Sequence, residues 1–236
     1  LIISPDSIVY WAWGPFVLNA TIVFTWIVMA VLVLVSWLVT RRLSIEPGIS
    51  RWQGFLESVV AYIRDQVAEI IDDEAAPYLP FIGSIFLFVA LSNFLTFVPG
   101  YQPPTGSLYT TGALALCVFF AVPVFGISRI GLKAYLRHYI QPSVFMLPFQ
   151  IIGEFSRTLA MAVRLFGNIM SGTLIVAILL TIAPLFVPVI MQALGLLIGF
   201  IQAYIFAVLA AVYIASATRT HRQTEERLNS EQQQGD

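Results

Sequence analysis

The sequence predicts an all-α polytopic membrane protein. It should have about five membrane helices and one amphipathic helix on the cytoplasmic surface, and its last two apolar segments should fold into a long, steeply tilted hairpin. Three observations predict this. Of 236 residues, 58% are hydrophobic and only 11% are charged, against about 25% charged in soluble domains. The apolar residues gather into runs long enough to cross about 30 Å of hydrocarbon, with basic residues at alternate ends. Two of those runs are too long for an upright crossing. The whole chain, 1–236, reads as a single membrane domain in the lipid bilayer. Its net charge of -1 leaves no footprint for nucleic acid. Cys117 is alone, which excludes an internal disulfide and a cysteine metal site, and His138 and His221 lie far apart in polar connections. No cofactor and no metal are expected.

Taken in order, residues 1–15 form a short external N-terminus without the basic n-region of a Sec-type signal peptide. The first residue is Leu1, so loss or processing of a few residues is expected. Tyr10, Trp11 and Trp13 suit an interfacial belt. Span 1 covers 16–40, and Arg41-Arg42 follow at once, which by the positive-inside rule makes this end cytoplasmic and the N-terminus external. Residues 51–74 repeat apolar side chains at helical spacing (Trp52, Phe55, Leu56, Val59, Val60, Ile63, Val67, Ile70, Ile71), with Glu57, Arg64, Asp65, Glu69 and Asp72 on the other face. This amphipathic helix lies either on the lipid surface or against a protein neighbour, and its acidic balance argues against anionic lipid. Span 2 covers 79–98, with Asn93 and Thr96 near its outer end, and span 3 covers 110–130. The intervening Pro99–Gly106 loop has no basic residue, whereas Arg129, Lys133, Arg137 and His138 mark the cytoplasmic side again.

The runs 143–182 and 184–218 would reach about 60 Å and 50 Å as continuous helices. Both must tilt, bend or be buried in a partner. Pro184 and Pro188 predict the turn between them, and 219–236 should be a polar, frayed cytoplasmic tail.

The first hairpin helix carries charge at membrane depth. Gln150, Glu154, Arg157, Arg164, Asn168 and Ser171 recur at intervals of three, four or seven and share a face. Leu159, Ala162, Val163, Phe166, Ile169 and Met170 form the opposite face, suited to lipid or a neighbouring helix. A guanidinium in the bilayer costs from about 2.5–3.5 kcal/mol on insertion scales to roughly 10–17 in simulations. Arginine stays protonated, so Arg164 can serve only as a fixed positive charge: a gate, a counter-ion or a barrier. Glu154 and Arg157 can neutralise each other, but no carboxylate is in reach of Arg164 on its own helix. The missing negative charge most simply comes from another subunit. In the second hairpin helix, Gln192, Gly195, Gly199, Gln202 and Phe206 form a stripe able to meet Arg164 across the hairpin, although glycines four apart often serve packing alone.

The run Ser156-Arg-Thr-Leu-Ala-Met-Ala-Val-Arg164-Leu-Phe-Gly-Asn168-Ile-Met-Ser-Gly172 closely resembles the signature of subunit a of rotary F-type ATP synthases. Ile201-Gln202-Ala-Tyr-Ile-Phe206 resembles that family's last-helix motif. Ser92-Asn93 before Val98-Pro99-Gly100, and Thr110-Thr111-Gly-Ala-Leu-Ala-Leu, support the match, which covers nearly the whole chain. The resemblance implies a stator subunit of the membrane (Fo) sector, with no nucleotide chemistry of its own. Such a subunit forms two ion half-channels against a ring of c subunits and couples H⁺ translocation to ring rotation and to ATP synthesis or hydrolysis. It implies peripheral-stalk b subunits and the F1 head as further partners, and a bacterial plasma membrane as the location. Carried over, Arg164 is the essential ion-gating arginine. Gln202 would hold it, and Asn168 would line the same pathway. Gln150, Glu154 and Ser156 would border the cytoplasmic half-channel. Ser171, Thr173, Gln192, Gly195, Asn93 and Thr96 would complete the ion pathway.

The chain also departs from the proton-conducting pattern of that family. Positions where bacterial members often carry a carboxylate or histidine read Thr21, Thr96, Thr173 and Gly195 here. Protons would then travel through water held by hydroxyls and amides, or the ion would be Na⁺. A stand-alone secondary transporter or channel would need its own counter-charge for Arg164, and none exists. No His-Glu-x-x-His, Gly-x-Ser-x-Gly or paired intramembrane carboxylate supports an intramembrane enzyme.

Overall fold

The computed structural model describes residues 5–13, 16–41, 51–71, 76–98, 100–132, 146–182 and 187–233. A two-stranded antiparallel ribbon (β1, Val9–Trp13; β2, Phe16–Asn19) precedes six α-helices among these residues. The helices are α1 (Ala20–Thr40), α2 (Arg51–Ile71), α3 (Leu79–Phe94), α4 (Leu108–Ile130), α5 (Met146–Ile182) and α6 (Val187–Gln233). All but α2 contain a stretch long and apolar enough to cross a membrane: Ala20–Leu38, Leu79–Phe97, Leu108–Arg129, Pro148–Thr181 and Val189–Ala217. The protein is a multi-pass helical membrane protein.

The first membrane helix starts at Ala20, four residues later than expected from hydropathy, because Phe16–Asn19 pair with Val9–Trp13 instead. Phe, Val and Leu suit a ribbon as well as a span, and hydropathy alone does not separate the two. The Ala20 N–H donates to the Ile8 carbonyl at 2.9 Å, which ties the ribbon to the helix start.

The amphipathic helix α2 finds its neighbour inside the chain. Ile63, Val67 and Ile71 are buried in one cluster with Ala207, Ala211 and Ile214 of α6 and with Tyr78 and Ile82 at the start of α3. The Tyr204 hydroxyl on α6 donates to Gln66 Oε1 at 2.6 Å. Of the two expected settings for α2, this is the protein one.

Pro80 stands in the first turn of α3, where its missing N–H breaks no helical bond. Ser107 caps α4 by accepting the Tyr109 N–H at 3.2 Å. Gly131, at φ +83°, ends α4 in a backbone region that L side chains rarely enter. A second core joins α3, α4, α5 and α6 through Ile85, Val89, Val118, Met161, Leu165 and Phe206, with Ala115, Ala162, Ala203 and Ala210 between them. The alanines let backbones approach closely, the means by which helices associate in lipid. Helix α1 stays at the margin, with Trp26, Met29, Val33 and Trp37 exposed as a lipid-facing surface would be.

The two last helices are as overlong as their sequences require: α5 has 37 residues and α6 has 47. At 1.5 Å per residue they measure about 55 Å and 70 Å. Residues beyond Thr218, expected to fray, remain helical to Gln233. Arg, Gln, Glu and Leu dominate that stretch and are good helix formers. The expected turn residue Pro184 and the basic markers Arg42, Lys133, Arg137 and His138 lie outside the described residues, as do Ser143 and residues 72–74.

Candidate functional site

The face that α5 buries decides where its charges point. Thr158, Met161, Ala162 and Leu165 are packed, at the i, i+3, i+4, i+7 spacing of one helical stripe. Of the apolar face suited to lipid or a neighbouring helix, Ala162 is packed, whereas Leu159 and Val163 are exposed as lipid-facing residues would be. Arg164 is exposed together with Arg157, Ala160, Ser171 and Ile175, which recur along the helix beside it. No hydrogen bond or ion pair reaches Arg164 among the described residues. The exposed residues one and two turns from Arg164 on this face, Ala160 and Ser171, are small, so another polypeptide can come close to the guanidinium. Asn168, one turn on, is half-buried, and its backbone oxygen accepts from Ser171 Oγ at 3.1 Å. Thr173 is exposed, and its hydroxyl donates to the Met170 carbonyl at 2.9 Å. Ser156 is exposed as well.

In the α6 stripe, Gln192 and Gly199 meet α3 and not Arg164. Asn93, only 2% exposed, donates through Nδ2 to the carbonyls of Val89 (2.9 Å) and Gly199 (3.1 Å). Thr96 donates to the Asn93 carbonyl at 2.6 Å, and Gln192 Nε2 donates to the Thr96 carbonyl at 3.0 Å. A Cβ on Gly199 would lie 2.7 Å from Asn93 Cγ, so the close approach inferred for the glycine pair holds at Gly199, and its partner is α3. Gly195 has open space around it and is exposed. Gln202 is 7% exposed and forms no hydrogen bond to Arg164. The expected meeting with Arg164 across the hairpin is therefore corrected for Gln192, which turns to the Thr96 carbonyl at the end of α3. The spacing of polar residues shows which of them share a face, but not which helix the face will find.

Toward the opposite end of the bundle, Glu154, Arg157 and Thr158 of α5 line a cleft with Tyr213 and Ser216 of α6. The Arg157 guanidinium sits over the Tyr213 ring, 5.8 Å from its centroid. The Thr158 hydroxyl donates to the Glu154 carbonyl at 2.9 Å. One turn before Glu154, Gln150 has a buried Oε1 with no partner among the described residues.

One acidic residue gains a setting that the sequence does not suggest. Asp6, in a short turn before β1, accepts from Thr21 Oγ1 at 2.6 Å and from Ser107 Oγ at 2.7 Å. Asp6 lies 15 positions from Thr21 and 101 from Ser107, so no local spacing joins them. The available signal is that Asp6 is the sole acid before Glu46.

A family model described as ATP synthase A chain matches residues 22–215. The chain is 64% identical over 217 residues to "ATP synthase subunit a 2" of Acaryochloris marina, an alignment covering 92% of this chain and 93% of the relative. It is 60% identical over 214 residues to "ATP synthase subunit a 1" of Crocosphaera subtropica, covering 91% and 93%. To "ATP synthase subunit a" of Albidiferax ferrireducens it is 58% identical over 217 residues, covering 92% and 94%. An arginine held open on an overlong membrane helix and a family match across nearly all of the bundle agree: the chain belongs to the subunit a family of F-type ATP synthases.

Proposed function

We propose that this subunit forms two ion half-channels against a c-subunit ring and couples H⁺ movement to ring rotation, with Arg164 as the gate. The observation that carries this reading is the exposed guanidinium without a partner among the described residues, flanked on its face by the small side chains of Ala160 and Ser171. A ring carboxylate arriving opposite Arg164 is favoured in its charged form by the adjacent positive charge and releases its ion. Arg164 cannot release a proton itself, and as a fixed charge it repels a cation that would pass directly between the half-channels. Binding and hydrolysis of ATP belong to the F1 head, and b subunits anchor the stator.

The basic residue Arg41 closing α1 makes that end cytoplasmic by the positive-inside rule. The N-terminus and the 98–107 loop then face outward and the C-terminus lies inside, in a bacterial plasma membrane. Gln150, Glu154 and Ser156 border the inner half-channel, and Arg157 lies beside it. Asn168, Ser171, Thr173, Asn93, Thr96, Gln192 and Gly195 belong to the outer side, and Gln202 shapes the α6 surface next to it. Na⁺ is the second reading for the coupling ion, favoured by the oxygen atoms gathered at Asp6, Thr21 and Ser107.

ATP-driven ion uptake by the whole complex in vesicles, with Na⁺ varied and a protonophore present or absent, tests both readings. Acidification collapsed by the protonophore and indifferent to Na⁺ is the expected result. Na⁺ uptake that survives the protonophore replaces H⁺ by Na⁺. Coupled uptake retained after Arg164→Ala removes the gate.

A further inference from the structure

The 3-10 turn Pro104–Gly106 sits where α1, α3, α4 and α5 converge, and residues 103–107 are all buried. A Cβ on Gly106 would lie 3.2 Å from Ile169 Cγ2 and 3.7 Å from Pro5 Cδ, so the turn is wedged between α5 and the segment carrying Asp6. Ile169 follows Arg164 by five residues, an axial rise of about 7.5 Å. Both carboxylate oxygens of Asp6 receive hydroxyl hydrogen bonds, from Thr21 on α1 and Ser107 at the start of α4. Asp6 is half-buried, so it touches the wedge and remains open to water.

The surroundings of Asp6 are polar and incompletely satisfied. Asn19 Oδ1 and Thr105 Oγ1 are buried side-chain atoms with no partner among the described residues, and at the same end the buried Ser92 hydroxyl faces the Tyr101 phenol. Buried polar atoms of this kind are normally met by water or an ion. Burial pushes the Tyr101 phenol up from its ordinary value, so it remains a neutral hydroxyl. Among the described residues, the other titratable side chains near this end are the phenols of Tyr10 and Tyr109. The described parts of α1, α3 and the 104–106 turn carry no charged side chain. The one on α4 is Arg129 at the far end, and the nearest on α5 is Arg164.

We propose that Asp6 is the cation-accepting carboxylate of the outer half-channel. This rests on the stator reading above. Asp6 takes a monovalent cation, hydronium or Na⁺, from the water it faces and passes it inward past the buried Thr105 hydroxyl, toward the α5 surface at Asn168. With hydronium, the proton bonds to one carboxylate oxygen and a neutral water leaves. The Thr21 or Ser107 hydrogen bond to that oxygen gives way. The same proton then moves to a water on the Thr105 side, and Asp6 returns to the anion. With Na⁺, the carboxylate and the two hydroxyl oxygens are ligands of the kind that hard cations take.

The test is ATP synthesis by the whole complex in vesicles under an imposed potential, with pH and Na⁺ varied on the Asp6 side. Asp6→Asn keeps an oxygen able to accept from Thr21 or Ser107, so the clamp on the turn survives. Its synthesis rate is expected to fall at least about tenfold with the ring still co-purifying, and Asp6→Glu is expected to restore most of it. If the carrier is hydronium, Asp6→Asn also flattens the dependence on outer pH; if it is Na⁺, the outer Na⁺ giving half-maximal rate rises. An unchanged rate and unchanged dependences in Asp6→Asn overturn the proposal. So does an equal loss at every pH and every Na⁺ concentration that Asp6→Glu does not repair, which would make Asp6 a clamp only. Arg164→Ala in the same assay separates the two levels: retained synthesis there defeats the stator reading whatever Asp6 does.

Discussion

Asn93 and Arg164 are both polar side chains in apolar membrane helices, and the protein treats them in opposite ways. Asn93 is almost fully buried, and its amide donates to two carbonyls, one on its own helix and one on α6. Arg164 is exposed, and no partner reaches it among the described residues. A polar group satisfied inside the chain serves the architecture. A charge left open on an outward face at membrane depth carries a cost that its own subunit does not offset. The difference separates the seam that holds the bundle together from the surface meant for something else.

The sharpest way to break this comparison is at the arginine. Arg164→Ala is expected to reduce ATP synthesis in vesicles to background while the complex still co-purifies. Arg164→Lys should fail as well, because an ammonium lacks the planar fork of the guanidinium. At the seam the order reverses, and the first effect falls on stability, with the Arg164 gate in place. Gly199→Ala places a methyl 2.7 Å from Asn93 Cγ, which should destabilise the bundle by about 1–3 kcal/mol. Gly195→Ala, in open space, should leave thermal unfolding of the complex unchanged. Asn93→Leu removes the amide from Gly199 and should cost about 1–3 kcal/mol, read as a lower unfolding temperature. Tyr204→Phe deletes the exposed hydrogen bond to Gln66 and should cost about 0.5–1.5 kcal/mol. Faster proteolysis of α2 would report it, and an unaltered rate would show that the Ile63, Val67 and Ile71 packing holds α2 alone.

Much of this architecture was legible in the sequence because hydropathy and helical period are local properties. The overlong runs around Arg164 and Gln202 predict overlong helices, and α5 and α6 are such helices. The charge of Arg164 and the absence of an acid near it on α5 were legible too. Three features were not, each because it depends on which element docks where. Phe16–Asn19 pair as a strand with residues that precede them. Gly199 and Gln192 turn to α3, which no spacing within α6 encodes. Asp6 reaches Ser107 across nearly half the chain. For the same reason the sequence does not choose between lipid and protein as the neighbour of α2, and α6 supplies it.

The central claim is that the Arg164 surface of α5, and not its packed surface, faces the ring. Disulfide cross-linking in a Cys117→Ser background tests it most directly, with a cysteine introduced beside the ring carboxylate. Ala160→Cys and Ser171→Cys lie on the exposed Arg164 side, whereas Ala162→Cys lies in the core. The account predicts cross-links to the ring from the first two and none from the third. A cross-link from Ala162→Cys, with none from Ala160→Cys or Ser171→Cys, would contradict it.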